Sequence, residues 1–187
     1  AESQKNHLKA YGITYWTLSK QENVKWLLNY RGGSFLLPHK DTIENECLIR
    51  GVSYELISDS EAESILKEMS SPSKNMDAVI LEKAPKIAVY SPNGKQPWDD
   101  AVTMVLTYAE IPYEIIYDSE VLNDALLLYD WLHLHHEDFT GQYGKFYRAY
   151  RNAAWYIEQQ KTAETLAASL GYNKVSEEKL AVAQKIR

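Results

Sequence analysis

The run His133-Leu134-His135-His136-Glu137-Asp138 is the densest group of metal-ligating side chains in this 187-residue sequence. Imidazole nitrogens beside carboxylate oxygens suit zinc or a similar divalent cation. In a strand, His133 and His135 face one side and His136 the other. A strand end opening into a loop would let His135, His136, Glu137 and Asp138 converge on a cation, whose bound water would then act as the nucleophile of a hydrolase. The competing reading packs His133 and His135 under a helix and leaves the others hydrogen-bonded to a loop.

Two glycine-bearing segments, Arg31-Gly-Gly-Ser34 and Ser91-Pro-Asn-Gly94, follow strand-like runs and precede helix-like ones. Backbone N–H groups at such turns can hold an anion at a helix start. Neither segment matches GxGxxG or the phosphate-loop pattern, so both also read as plain turns. No G-x-S-x-G nucleophile elbow occurs. The single cysteine, Cys47, falls in a helix-like stretch and reads as core packing, and it excludes an internal disulfide. No residue is therefore marked as a covalent nucleophile. Arg148, Arg151 and Lys161 read as a solvated helical face.

These groups need elements to position them. A polar start suggests a short helix over 4–10, followed by an irregular piece around Gly12. Trp26–Tyr30 is a short apolar run suited to a buried strand, and Phe35–Leu37 extends it or forms a second one. Asp41, just after Pro38, starts a helix that Gly51 should stop. Val52–Ile57 alternates and reads as a strand, and Asp59 begins a helix to about Met69. Residues 70–75 read as a linker. Lys86–Tyr90, Tyr113–Tyr117 and Tyr129–His136 read as strands. Helices are expected from Trp98 to Ala109, from Asp118, and beyond Gly144 with a break at Gly171.

Two halves then run alongside each other. Tyr30, Pro38, Asp41, Tyr54-Glu55 and Asp59-Ser60-Glu61 are matched by Tyr90, Pro97, Asp100, Tyr113-Glu114 and Asp118-Ser119-Glu120. This predicts an α/β fold with a parallel sheet of repeated βαβ units, one over residues 1–75 and a second over 76–187, packed separately or as one domain. Ligands of such sheets sit beyond the carboxyl ends of the strands. The candidate ligand-binding residues on that rim are Ser91, Asn93, Gly94, Trp98, Asp99, His135, His136, Glu137, Asp138 and Gln142.

The bulk composition narrows the partners. The net charge is −6 and no basic stripe is visible, which argues against nucleic acid and for a small molecule or a protein partner. There are 14 Tyr and 5 Trp but only 3 Phe, a bias that suits sugar-binding surfaces, protein interfaces or the edges of a modest core. No run of about 18 apolar residues exists to span a membrane. The opening Ala1-Glu2-Ser3-Gln4 fits an expressed segment or a mature chain whose signal peptide was removed.

The segments Asn6–Ile13, Trp26–Phe35 and Tyr129–Phe146 resemble a family of exported bacterial proteins that carry the label asparagine synthetase B. The resemblance spans nearly the whole chain. It implies a flavodoxin-like, class I glutamine amidotransferase-like fold and an exported location, periplasmic or associated with the outer membrane. The sequence departs from the label's chemistry, because it has Ala1 where an N-terminal cysteine is needed and no Ser-Gly-Gly-x-Asp-Ser loop. In the amidotransferase-like fold the nucleophile follows a later strand. The resemblance thus implies a sheet truncated after the helix ending at Arg187.

Three functions follow as expectations. The first is a non-catalytic or incomplete amidotransferase-like domain binding a small ligand at the strand-end rim. The second is an interaction subunit of a cell-envelope assembly, with a protein partner or a second copy of itself. The third is the metal-dependent hydrolase built on His135, His136, Glu137 and Asp138.

Overall fold

A computed structural model describes residues 4–71, 73–92, 101–134 and 148–187. The chain divides into two compact units, Ala1–Ala84 with Ala101–Pro112, and Pro85–Asp100 with Tyr113–Arg187.

The first unit opens with helix α1 (His7–Ser19), whose start is capped by the Asn6 side chain accepting from the Lys9 N–H at 3.4 Å. The helix was expected to stop near Ala10, yet it runs straight through Gly12. The reason is a close approach. A Cβ at residue 12 would lie 1.9 Å from the carbonyl oxygen of Ala109 in helix α4 (Ala101–Ala109). Gly12 is there to let two helices touch backbone to backbone, and not to break one.

Strands β1 (Val24–Leu28), β2 (Ser34–Leu36) and β3 (Asp77–Leu81) form a sheet in the order β2-β1-β3. Both pairings are antiparallel. The expected parallel βαβ unit in the first half is thereby corrected. Val52–Ile57, read as its second strand, joins no ladder, and β2 and β3 take both edges of β1 in its place. Only Val52 of that stretch is buried. The missing strand is β3, which follows the polar segment read as a linker. Aromatic packing closes one face: Trp26 stacks on Phe35 across β1 and β2 at 6.0 Å, and Tyr11 meets Phe35 edge-on at 5.1 Å.

Helix α2 (Asp41–Arg50) begins and ends where expected, closing on Gly51 in the left-handed conformation at φ 67°. It buries Ile43 and Cys47 against Ile13 and Val52. Helix α3 (Asp59–Met69) starts with a reciprocal capping box between Ser58 and Glu61.

The second unit holds the parallel sheet. Strands β4 (Ile87–Tyr90), β5 (Glu114–Ile116) and β6 (Trp131–Leu134) run in the order β5-β4-β6, with both neighbours parallel to β4. Every residue of β4 is buried, as a central strand flanked on both edges requires. Helix α5 (Asp118–Leu122) and a short 3₁₀ turn at Ala125–Leu128 connect β5 to β6. Helices α6 (Ala154–Ser169) and α7 (Val175–Ile186) follow, with the expected break at Gly171. Val182 of α7 joins Ala88, Tyr90, Ile116 and Val121 in the core. Arg148, Arg151 and Lys161 are exposed, as a solvated face demands. Among the described residues, no helix is long and apolar enough to cross a membrane.

Candidate functional site

The chain leaves β4, returns as β5 on one side of it, then crosses to β6 on the other. Strand order reverses at β4, and in an open parallel sheet a crevice forms beyond the carboxyl end of the strand where that happens. Ser91 stands at that position. Its N–H continues the ladder by donating to the Ile116 carbonyl at 3.0 Å. Ser91 is 1% exposed, and its hydroxyl oxygen has no hydrogen-bond partner among the described residues. Buried polar groups in folded proteins are nearly always paired, so a bare hydroxyl here is an unusual feature.

Next to Ser91 lies a polar quartet, half of it fully buried and half partly exposed. Tyr90 ends β4, Tyr117 follows β5, Asp118 is the first residue of α5, and Lys179 comes from α7. The Tyr90 hydroxyl donates to Asp118 Oδ1. Lys179 Nζ donates to Asp118 Oδ2 at 3.0 Å and Oδ1 at 3.1 Å, to the Tyr117 hydroxyl at 2.8 Å and to the Tyr90 hydroxyl at 3.1 Å. It also lies 4.3 Å from the Tyr117 ring centroid. Asp118 and Tyr90 are fully buried.

This arrangement fixes what the quartet can do. Burial pulls the Lys179 ammonium toward deprotonation, but Tyr117 and Asp118 outweigh it, and its pKa is raised above the ordinary lysine value. Lys179 is a lasting cation whose three N–H donors are consumed by its neighbours, so it is neither nucleophile nor base. Beside it, Glu120 reaches back to accept from the Tyr117 N–H at 2.9 Å. Burial pushes the Glu120 carboxyl up, and that bond together with those from the Ser119 side chain and the Glu120 N–H reverses the direction, leaving its pKa lowered. The quartet therefore positions the end of β4 and the start of α5. Beside it the Ser91 hydroxyl is buried and unpaired among the described residues.

Of the ten residues expected to line the rim, Ser91 is described and directly follows β4. Asn93, Gly94, Trp98, Asp99, His135, His136, Glu137, Asp138 and Gln142 lie outside the described residues, and the expected metal cluster lies there with them. His133 is partly buried on β6. Tyr90, Tyr117, Asp118 and Lys179 were missed as a group. The Asp118-Ser-Glu signal was read only as a helix start, and Lys179 lies 61 positions away from Asp118.

Among the described residues, His39, Asp41 and Glu44 of the first unit bring one nitrogen and two carboxylate oxygens within 4.8 Å of one another. His39 Nε2 lies 2.6 Å from Glu44 Oε1. This group sits on exposed ground at the start of α2 and lacks the buried supporting contacts of a built metal centre. Cys47 is no better placed for chemistry. Burial, then the charges of Glu44 and Glu46, push its thiol up and keep it protonated.

No protein-family model matches the chain, and no curated protein and no solved structure matches it either.

Proposed function

We propose that the second unit is a ligand-binding domain that takes a small polar molecule at the carboxyl rim of its parallel sheet. The observation that carries this reading is the Ser91 hydroxyl, buried and without a partner among the described residues, at the strand where the order reverses. Leaving such a group bare costs about 1–3 kcal/mol, which a ligand atom would recover. The β5-β4-β6 order is the arrangement that begins a flavodoxin-like sheet, in which the first strand lies between the second and third. It is the order that the amidotransferase-like resemblance implies, and the exported location is proposed from that resemblance alone. The nearby quartet holds the rim rigid and takes no part in bond making.

The test is Ser91→Ala examined by thermal unfolding and by NMR titration with glutamine, glutamate and asparagine. The expected result is unchanged or higher stability together with loss of the chemical-shift response that the wild type shows at Ser91. A wild type showing no response at Ser91 to any of the three speaks against an amide or carboxylate ligand at the rim.

A protein-binding role has its own support in the first unit. Leu48 and Ile49 of α2 are 67% and 78% exposed, and Leu56 beyond it is 63% exposed. Exposed apolar side chains are the usual material of interaction surfaces. Sedimentation at rising concentration distinguishes self-association from a monomer.

A further inference from the structure

We infer that the first unit carries a second binding site, for a small organic anion with a flat apolar body, in the cleft between the end of α1 and the start of α2. The cleft measures about 410 Å³, within the range of small-molecule sites. Trp16, Thr17 and Lys20 line it from α1, Glu22 from the following turn, and Lys40, Thr42 and Ile43 from the α2 side.

Its chemistry follows from these side chains. Trp16 and Ile43 give an apolar wall and floor, with the lysine stems adding hydrocarbon. Of the charged groups, Lys40 and Glu22 pair with each other and cancel. Lys20 makes no ion pair among the described residues and stands 5.4 Å from the Trp16 ring centroid, so the cleft keeps one uncompensated positive charge beside its aromatic wall. Thr17 is fully buried, and its hydroxyl oxygen has no hydrogen-bond partner among the described residues. In a helix this hydroxyl ordinarily bonds the carbonyl one turn back, as Thr14 does to Ala10 at 3.1 Å. One free cation, one unpaired hydroxyl and an apolar face match a monoanion carrying a planar ring, an aromatic carboxylate in the simplest case. The ring would lie along Trp16 and the carboxylate would face Lys20.

Benzoate serves as the probe, with benzyl alcohol as the uncharged control of similar shape, observed by methyl and amide NMR of the full chain. Benzoate is expected to shift Thr17, Lys20 and Ile43, and benzyl alcohol to bind at least about tenfold more weakly. Lys20→Gln should weaken benzoate about tenfold or more, while Lys67→Gln on the exposed face of α3 should leave it unchanged. Thr17→Val keeps the side-chain shape, should not lower the unfolding temperature, and should weaken benzoate. Equal binding of the two probes, an unaltered affinity in Lys20→Gln, or no shift at these residues with millimolar benzoate would each overturn the inference.

Discussion

Lys179 Nζ lies 3.0 Å from Asp118 Oδ2, an ion pair whose carboxylate side is closed to solvent. It joins α7, near the end of the chain, to the first residue of α5 and, through Tyr90, to the central strand of the parallel sheet. Removing one partner of such a pair leaves a charge buried with too few bonds. Lys179→Met should therefore destabilise the second unit by about 2–4 kcal/mol, somewhat less than the roughly 3–5 kcal/mol of a fully buried pair, because Tyr90 still donates to Asp118 and Lys179 is partly exposed. Asp118→Asn combined with Lys179→Met should cost less than the sum of the single changes, and a double-mutant cycle in urea measures the difference.

The same pair sets an alkaline limit. The folded pKa of Lys179 is raised above the ordinary 10.5, so the stability it contributes is fully present below that value and disappears as pH climbs through the folded pKa. Unfolding followed between neutral pH and about pH 11 should show stability falling at the alkaline end in the wild type and a flatter profile in Lys179→Met.

Tyr129 gives a second titration in the same unit. Its hydroxyl donates to Glu114 Oε2 at 2.6 Å, and that bond, then partial burial and the Glu114 charge, push its pKa up to about 12. Glu114→Gln should return Tyr129 toward the ordinary tyrosine value of 10.0. Carbon-13 labelling of the tyrosine ring reads this directly, and an unchanged titration would remove Glu114 as the cause.

Gly12 yields the sharpest packing prediction. The 1.9 Å contact that a Cβ would make is with a backbone oxygen, which cannot swing aside as a side chain could. Gly12→Ala should cost about 3 kcal/mol or more through forced separation of α1 and α4, beyond the usual penalty for overpacking. A shift in the denaturant midpoint at constant slope is the expected signature.

What could be read from the sequence depended on how local the signal was. Asp41 and Gly51 bracket α2, Ser58 and Asp59 open α3, and Gly171 separates the last two helices, all through short-range capping chemistry. Strands β4, β5 and β6 were legible as apolar runs between turn residues. Pairing was not. The Tyr-Pro-Asp repeat made both halves look parallel, but β1 turns back on β2 within a few residues and takes its other partner, Asp77–Leu81, from about fifty residues further on. The alternation at Val52–Ile57 satisfied a strand pattern, yet the stretch pairs with no strand of the sheet and leaves all but Val52 exposed. The rim position of Ser91 was visible from the strand order alone. The Tyr90–Asp118–Lys179 network was not, because no spacing rule links a strand end to a helix 61 residues beyond Asp118.

The most direct measurement is native mass spectrometry of the full-length protein and of Ser91→Ala, each equilibrated with glutamine, glutamate and asparagine. Ligand binding at the carboxyl rim predicts a one-to-one small-molecule adduct on the wild type that is lost or sharply reduced in Ser91→Ala, with both proteins equally folded. An adduct retained equally by the two proteins, or a bare wild-type mass with every compound, would contradict it.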